Sequence, residues 1–311
     1  MAKKIVCLGS CVVDLTCRSD HLPLPGETVI TDYFKMGPGG KGSNQAVAAK
    51  RAGGNIILMT KVGNDILSQV ALGSFKKEGF DEKYILIDKD AFTGIALINV
   101  DKNTSENSIT VAPGACGYLT GDDIGLLKPE IESCDIFLTQ LETNLDAIEK
   151  AVGIAYENKK TIVVNTAPVQ AISDELLGKI TMVTPNEIEA SLLTKVEVRD
   201  KSSAGRAAGI FFDKGVKYVV ITLGKKGCYI NDGKTEALVD PIEVKTIDTT
   251  GAGDAFTGGL VVALAEDRSL LNAAKFATAA AALSTTKAGT APSMPYRAEI
   301  DALVKKTYGS L

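Results

Sequence analysis

The sequence has very few of the residues on which several classes of enzyme depend. Of its 311 residues, one is histidine and none is tryptophan. A metal site with several histidine ligands is therefore excluded, and a Ser-His-Asp triad would have to use His21. Because His21 lies in the turn-like stretch SDHLPLPGE, we interpret it as an ordinary surface histidine.

Cysteines are also few, and their spacing indicates no redox motif. The six form no CxxC pair and are scattered along the chain, at Cys7, Cys11, Cys17, Cys116, Cys134 and Cys228. Free, buried thiols in a reducing cytoplasm are the simplest explanation.

Long apolar runs and a strong excess of charge are missing as well. No stretch approaches the ~18 consecutive apolar residues that indicate a membrane span. The first residues, MAKKIVCLGS, resemble a first core strand more than a signal peptide. A net charge of −4 argues against a broad surface for nucleic acid or anionic membrane, although it is compatible with a local anion site. We therefore expect a cytoplasmic protein that binds neither nucleic acid nor membrane.

What the chain does contain is an alternation of strand-like and helix-like runs. KKIVCLG, NIILMTKVG, CDIFLTQL, TIVVNTAP and KYVVITLGKKG are typical of strands, while SNQAVAAKRAG, SQVALGSFKKEG, LDAIEKAVGIAYENK and AGRAAGIFFDKG are typical of helices. This order predicts an α/β fold, with a mostly parallel central sheet and helices on both faces. From residue 251 onward the pattern is mainly helical.

Two regions interrupt that alternation. Residues 12–36 and 92–112 each read as strand, turn and strand, with no helix between. Paired with each other, they would form a small β-sheet lid inserted into a single domain of residues 1–311.

The run DTTGAGD, followed by AFTGGLVVALAED, is the most informative stretch. PIEVKTIDTT reads as a strand, and GAGDAFTGGLVVALAE as a turn that opens a helix. The amides of Gly251, Ala252 and Gly253 would then form an anion-binding nest at the positive end of the helix dipole. Asp254 could instead be a plain helix cap, but that explains neither the glycines nor the second carboxylate, Asp248.

GPGGKGSNQAVAA is a second glycine-rich entry to a helix, without the spacing of a Walker P-loop. It is either a tight turn capped by Ser43 or Asn44, or a close approach of backbone to a polar ligand. In the second case Lys41 and Asn44 would donate hydrogen bonds to hydroxyl groups.

Two further stretches each allow a structural and a functional interpretation. In VTPNEIEASLL, Asn186 and Glu189 either form a helix cap or supply oxygen ligands to hydrated Mg²⁺. In VVITLGKKGCYI, Thr222, Gly224 and Gly227 form a hairpin turn or let backbone approach a nucleotide.

Taken together, these stretches resemble the ribokinase family of sugar kinases, which is of the PfkB type. The resemblance runs in order through GSCVVDL, PGET, GPGGKGSNQAVAA, TKVGND, TGIALI, TQLET, VTPNE, ITLGKKG, DTTGAGDAF and GTAPSMPYR. GGKGSNQA and DTTGAGD are together highly specific for the family, and TQLE with GTAPS points to its ribokinase branch.

The resemblance implies a Rossmann-like domain with a β lid, a homodimer formed through the lids, and ATP-dependent phosphorylation of a sugar hydroxymethyl group, the 5-hydroxyl in ribose. It implies that Asp254 is the catalytic base, and that Gly251, Ala252 and Gly253 form the anion hole. Phosphoryl transfer depends mainly on positioning and charge neutralisation, and a hydroxyl is a poor nucleophile near neutral pH, so the physical reading agrees.

The remaining site residues follow from the same resemblance. The sugar hydroxyls would be held by Asp14, Gly40, Lys41, Asn44 and Glu142, beside Asp254. The nucleotide site would comprise Asn186, Thr222, Gly224, Gly227, Gly253 and Thr278. Asn186 and Glu189 would organise Mg²⁺ through water. An activating K⁺ would be held by Asp248, Thr250, Ser284, Lys287, Gly289 and Ser293.

Two positions depart from the family pattern, and the first of them bears on the substrate. Val12 stands two residues before Asp14, where many ribokinases carry Asn. Valine offers a sugar only apolar contact, which suits 2-deoxyribose, unless it packs away from the ligand. Thr166 stands where the family usually has Pro, and we assign it no function.

Two other functions are less well supported by the sequence. A nucleoside kinase would need apolar or aromatic cover for a base, and only 5% of residues are aromatic. A sensor without catalysis should have lost Asp254 or a glycine of the nest.

Overall fold

Strands and helices alternate through residues 2–104 and 106–309, which the computed structural model describes. The strands are β1 Lys4–Leu8, β2 Val12–Ser19, β3 Tyr33–Gly39, β4 Asn55–Gly63, β5 Ile85–Asp88, β6 Thr93–Asp101, β7 Asn107–Gly114, β8 Ile136–Gln140, β9 Thr161–Asn165, β10 Met182–Val183, β11 Tyr218–Thr222, β12 Cys228–Asn231 and β13 Glu236–Val239. The α-helices are α1 Lys41–Arg51, α2 Ile66–Glu78, α3 Gly121–Ser133, α4 Leu145–Glu157, α5 Asp174–Lys179, α6 Glu187–Thr194, α7 Lys201–Asp213, α8 Ala252–Ala265, α9 Leu270–Ser284 and α10 Arg297–Tyr308.

The larger sheet has the strand order β13-β12-β11-β10-β9-β8-β1-β4-β5. Its strands run parallel from β11 through to β5, and β12 and β13 are antiparallel to their neighbours. Alternate residues of β1 enter two separate apolar cores, with Ile5 and Cys7 in one and Val6 and Leu8 in the other. Because alternate side chains of a strand point to opposite faces of the sheet, both faces of this sheet are buried. A parallel sheet buried on both faces is typical of α/β proteins, so the predicted fold class is confirmed.

The smaller sheet has the order β3-β2-β6-β7, with β2 and β6 parallel at its centre. Its two hairpins come from the two regions predicted to pair with each other. Within the region 12–36 the stretch TVITDYFKM, from Thr28, reads as a strand throughout, but β3 begins only at Tyr33. Before that point the Thr31 hydroxyl donates to the Arg18 carbonyl and accepts from the Tyr33 amide at 3.1 Å, so a side chain replaces the strand ladder.

The stretch PIEVKTIDTT is not a strand, contrary to its apolar alternation. β13 ends at Val239, and Pro241 has no amide hydrogen with which to extend a ladder. The amides of Ile247 and Asp248 donate instead to the carbonyl of Thr285, just beyond α9, at 2.7 and 3.1 Å. The segment therefore crosses the end of a helix rather than joining the sheet.

Two helix starts also differ from the capping alternatives. Gly40, with φ of 92°, precedes α1, so Ser43 and Asn44 lie inside its first turn and neither is the cap. Gly251, with φ of 79°, takes the capping position of α8, which places Asp254 within the first turn. Both glycines adopt the left-handed region that other residues avoid.

The cysteines and the histidine lie where their sequence contexts predicted, with one exception. All six cysteines are free, but Cys17 is half-buried rather than buried. His21 lies on the surface and contacts Glu27 at 2.7 Å. Within residues 2–104 and 106–309, no helix combines the length and apolar character needed to cross a membrane.

Candidate active site

A cleft of about 200 Å³ opens where the carboxyl ends of β9, β10 and β11 meet the N-terminus of α8. Such an edge is where α/β sheets bind ligands, because helix N-termini converge there. The predicted residues that line it are Lys41, Asn186, Glu189, Thr222, Gly251, Ala252, Gly253 and Asp254. Residues from both glycine-rich stretches therefore meet in one place.

Asp254 is held at the base of this cleft by two amide side chains of α1. Asn44 Nδ2 donates to its Oδ2, and Gln45 Nε2 donates to its Oδ1, both at 3.0 Å. Burial raises the pKa of Asp254 above its ordinary value, while Lys41 and the two amides oppose that rise. The result is a buried carboxylate whose proton affinity is increased without loss of its orientation.

Lys41 brings a positive charge to the same cleft. Its own burial opposes protonation, but the carboxylates of Asp254, Glu142 and Glu189 raise the pKa of Lys41 overall. Glu142 is fixed by the Ser10 hydroxyl and by the Lys41 amide, which donates to its Oε2 at 2.9 Å. The ammonium group can thus balance negative charge at this point of the cleft.

The first turn of α8 presents free backbone amides to the cleft. The Ala252 amide donates to the Thr249 carbonyl at 3.2 Å, whereas those of Gly253 and Asp254 have no carbonyl within the helix to receive them. A Cβ placed on Gly253 would meet no atom within 4 Å, so that side of the turn is open. These amides and the helix dipole favour an anion there.

Asp14, on β2, faces the second glycine-rich stretch. Its Oδ2 accepts from the Thr290 hydroxyl at 2.8 Å, and a Cβ on Gly39 would lie 1.9 Å from its Oδ1. Burial raises the pKa of Asp14 to about 6, against the Thr290 hydrogen bond and helped by the charges of Glu142 and Asp254. Asp14 also borders a cavity of about 310 Å³ between the small sheet and residues 246–250.

Val12 belongs to the same face of β2 as Asp14, since the two are separated by one residue. It is buried and packs with Ala96 and Ile98 of β6. Gly94 is opposite Val12 in the ladder, and a Cβ there would lie 2.8 Å from Val12 Cγ1. The side chain is therefore on the face of β2 that borders the cavity, but Val12 does not line the cavity itself and is in close apolar contact with β6.

Asn186 and Glu189 form the capping arrangement that their spacing allows. Asn186 Oδ1 accepts from the Glu189 amide at 2.8 Å, and Glu189 Oε2 accepts from the Asn186 amide at 3.0 Å. Burial raises the pKa of Glu189, although the hydrogen bond from the Asn186 amide and the charge of Lys41 oppose that rise. Thr166 also contacts Glu189, its hydroxyl lying 3.5 Å from Oε2. The cap still lines the cleft, so structural and ligand-binding roles are compatible.

The six residues predicted to hold a monovalent cation lie on two neighbouring segments. Asp248 accepts from the amides of Thr250 and Gly289 at 2.9 and 3.0 Å; burial opposes its ionisation, but these bonds lower the pKa of Asp248 overall. Ser284 and Ser293 donate to carbonyls within their own turns, and Lys287 pairs with Glu299 at 2.8 Å. Asp248 thus joins the turn before α8 to the C-terminal loop.

Three predicted nucleotide residues lie outside the lining of the 200 Å³ cleft. Gly224 and Gly227 bracket a short turn between β11 and β12 with φ of 54° and 86°. Thr278 is buried in α9, where its hydroxyl donates to the Ala274 carbonyl at 2.8 Å. Thr222 does line the cleft, and a backbone bridge sets it beside Asn186.

Several polar residues of the site were missed by sequence reasoning. Asn165, Thr184, Thr249 and Thr257 line the cleft, and Gln45 bonds to Asp254. Three of them stand beside residues already chosen or at a strand end: Gln45 follows Asn44, Thr249 follows Asp248, and Asn165 ends β9. A search of strand ends for polar residues would have found Asn165.

Comparison with known proteins agrees with this geometry. Residues 2–297 match the model of the pfkB family carbohydrate kinases. This chain belongs to that family. The ribokinase of Haemophilus influenzae is 42% identical to this kinase over 299 residues, which cover 96% of this chain and 97% of the relative. The deoxyribokinase of Salmonella typhi is 32% identical over 292 residues, or 94% and 95% of the two chains.

A solved structure shows that the whole kinase fold is shared. The Arabidopsis thaliana ribokinase, determined in complex with ribose and ATP, has a TM-score of 0.90 and 27% identity, covering 98% of this kinase and 99% of that chain. The predicted resemblance to sugar kinases of the PfkB type is therefore confirmed, and the kinase has the fold expected from it.

Proposed function

We propose that this kinase transfers the γ-phosphoryl group of ATP to the 5-hydroxyl of D-ribose, giving D-ribose 5-phosphate. The observation that carries this proposal is the buried Asp254 carboxylate in the same helix turn as the free backbone amides of α8. The proton of the hydroxyl passes to Asp254 as the hydroxyl oxygen bonds to the γ-phosphorus. The bond from that phosphorus to the β–γ bridging oxygen breaks, and ADP leaves. Ribokinases related to this kinase support the choice of sugar.

The sugar is bound between β2 and the start of α1, beside Asp254. Asp14, Lys41 and Glu142 supply charged partners for its hydroxyls. Among the described residues, Asn44 Oδ1 is buried without a hydrogen-bond partner, which is costly unless a ligand donates to it. Gly40 is also assigned to the sugar; a Cβ there would come within 2.9 Å of the Ser10 carbonyl, so only glycine lets α1 start this close to the loop after β1.

The nucleotide is bound along the cleft and over the β11–β12 turn, with its phosphates toward Lys41. Gly251, Ala252 and Gly253 form the anion hole for the transferring group, although the Ala252 amide is bonded to the Thr249 carbonyl in the free kinase. Asn186, Thr222, Gly224 and Gly227 line the rest of the site, and the buried Thr278 supports it from α9. This arrangement needs mainly positioning and charge neutralisation from the protein.

Magnesium is assigned to Asn186 and Glu189. Their oxygens are hard ligands of the kind Mg²⁺ prefers, and both also make the helix cap, so contact through water suits the site better than direct ligation. When bound, the ion neutralises phosphate charge, and these residues hold its water shell in place.

An activating potassium ion is assigned to the loop pair formed by Asp248 and Thr250 with Ser284, Lys287, Gly289 and Ser293. One carboxylate, several carbonyls and hydroxyls offer oxygen ligands to a large cation. Because Asp248 bonds to Gly289 and Thr250, a cation here would order the turn that carries the anion hole.

The chain is one kinase domain, with the small sheet as a lid over the sugar and a second copy of the chain on the lid's outer face. Phe34, Met36 and Leu97 share that outer face and are 63%, 43% and 46% exposed. Exposed apolar side chains in a row mark an association surface. Sedimentation should give a dimer, and Phe34→Glu should give a monomer; a wild-type monomer at micromolar concentration would reject this assignment.

A second substrate, 2-deoxyribose, is supported by Val12. Val12 is on the same face of β2 as Asp14, so it would give the sugar apolar contact where an asparagine could bond to the 2-hydroxyl. The ribokinase relative is more similar to this kinase than the deoxyribokinase, at 42% against 32% identity, so ribose is preferred.

The proposal is tested by a coupled ADP-release assay over ribose, 2-deoxyribose, fructose and nucleosides, with Mg²⁺ and ATP. We expect the highest kcat/KM with ribose, and phosphorus NMR of the product should show a 5-phosphate ester. Highest activity on a nucleoside, or ATP hydrolysis unaffected by any sugar, would reject it.

A further inference from the structure

Two buried glutamines form a chain of hydrogen bonds that ends on Asp254. Gln140 Nε2 donates to Gln45 Oε1 at 2.8 Å, and Gln45 Nε2 donates to Asp254 Oδ1 at 3.0 Å. Gln45 Nε2 also donates to Asn165 Oδ1 at 3.0 Å, and Asn165 in turn donates to the Thr184 carbonyl at 2.7 Å. Gln45 and Gln140 are 0% and 1% exposed. Burying an amide costs free energy unless it is bonded, and both groups of the Gln45 amide are bonded, whereas Gln140 is bonded through Nε2 and its Oε1 has no partner among the described residues.

The two oxygens of Asp254 are held in different ways. Oδ1 accepts from Gln45, whose amide is anchored to β8 through Gln140 and to β9 through Asn165. Oδ2 accepts from Asn44, whose own oxygen has no partner among the described residues. Asn44 has neither of these two kinds of anchor among the described residues, and it is also assigned to the sugar. Only the Asn44 contact is therefore free to exchange when the sugar binds.

We propose that Gln45 is a positioning residue, which fixes Oδ1 of Asp254 so that Oδ2 is the atom that takes the proton from the sugar hydroxyl. The inference rests on the proposed function. Gln140 acts one step further away by preventing rotation of the Gln45 amide. When the sugar arrives, its hydroxyl replaces Asn44 at Oδ2, while Oδ1 stays bonded.

The same contact favours the ionised form of Asp254. A hydrogen bond donated to a carboxylate lowers its pKa, and Gln45 acts in that direction against the effect of burial. Removing the donor should therefore raise the pKa of Asp254, and the base should be protonated over a wider acidic range. The titratable groups that also face Asp254 are Lys41 on α1, Glu142 after β8, Glu189 on α6, Asp14 on β2 and Cys7 on β1.

The test replaces each glutamine by methionine, which has a similar length and no donor. Gln45→Met should lower kcat by roughly 10- to 100-fold, leave the KM for ribose within about threefold, and move the acid limb of kcat up by about one pH unit. Gln140→Met should also lower kcat and move the acid limb up, each by less than Gln45→Met does. Gln170→Met is the control, because Gln170 donates to the Leu141 carbonyl and takes no part in the hydrogen bonds that end on Asp254. The acid limb of kcat should not move in this variant.

A titration of Asp254 by carbon-13 NMR gives a second readout that needs no sugar. Its carboxyl signal is identified by its loss in Asp254→Asn, and its midpoint should be higher in Gln45→Met than in wild type. Lower kcat with an unmoved acid limb and an unmoved midpoint would mean a structural role and would overturn the proposal. If Gln45→Met does not fold, Gln140→Met decides by the same two shifts. Should wild type fail to phosphorylate ribose, the proposed function fails, and the NMR midpoints still judge Gln45.

Discussion

Replacing Asp14 by asparagine should make the free kinase more stable at pH 8 while damaging its activity. Asp14 is partly buried near Glu142 and Asp254, and its pKa is raised from 3.8 to about 6, mainly by burial. The substituted side chain would have no charge, and its amide oxygen could still accept the hydrogen bond that Thr290 donates to the Asp14 carboxylate.

The size of the effect follows from linkage between protonation and folding. A carboxyl whose pKa is raised by folding gives its full stability below 3.8 and loses it as the pH rises through 6. The difference corresponds to about 3 kcal/mol, since one pH unit is worth about 1.4 kcal/mol. Because Asp14 keeps some contact with solvent, we expect about 1–2 kcal/mol in favour of Asp14→Asn at pH 8. At pH 4.5 this advantage should fall to roughly half to two-thirds of its value at pH 8.

The measurement is urea unfolding without sugar at pH 8 and pH 4.5, followed by far-UV circular dichroism because the chain has no tryptophan. Asp65→Asn is the control of opposite sign: burial works against ionisation of Asp65, but hydrogen bonds from Thr93 and Ser68 lower its pKa overall. That variant should be less stable than wild type at pH 8, with a smaller difference in acid.

Activity should move against stability in Asp14→Asn. Loss of a charged hydrogen-bond partner should raise the KM for ribose by roughly 10- to 100-fold. If Asp14→Asn is less stable than wild type at pH 8, or its advantage is equal at both pH values, the pKa of Asp14 is not raised by burial and the reasoning is wrong.

Three other predictions concern the chemistry. Asp254→Asn should lower kcat by on the order of 10²–10⁴ in a folded protein, the usual worth of a general base, and near-normal kcat would remove that role. Potassium should raise the rate above that in tetramethylammonium at equal ionic strength, because Asp248 and Thr250 support the anion hole; equal rates would reject the cation site. 2-Deoxyribose should be phosphorylated with kcat/KM within roughly 100-fold of ribose, and Val12→Asn should widen that gap. A much stronger rejection by wild type, or no change in Val12→Asn, would show that this position does not read the sugar.

Local patterns were sufficient for much of the fold. The alternation of branched strand runs and amphipathic helices predicted a doubly covered parallel sheet, and the two helix-free regions predicted the small sheet. These features depend on periodicity within short windows, which a sequence displays directly. The glycines at positions 40 and 251 were likewise visible, because turns with positive φ select glycine.

Short stretches of sequence gave wrong or incomplete predictions where a residue's hydrogen-bond or packing partner lies far away in the sequence. PIEVKTIDTT alternates like a strand, but its amides bond to the carbonyl of Thr285, at the end of a helix nearly forty residues later. Val12 could be placed on a strand from the sequence, yet its contacts with Ala96 and Ile98 depend on how two hairpins pair.

The site divides in the same way. Motifs identified Asp254 and the glycines before it, because a helix N-terminus that binds an anion needs small residues and free amides in one short run. Only the tertiary structure brings Gln45 to Asp254, 209 residues apart, and Gln140 to Gln45, 95 residues apart. No periodic pattern in the sequence identifies a buried amide side chain or its partners. Its partners are chosen by which strands and helices pack together, so the folded chain alone decided which oxygen of Asp254 is anchored.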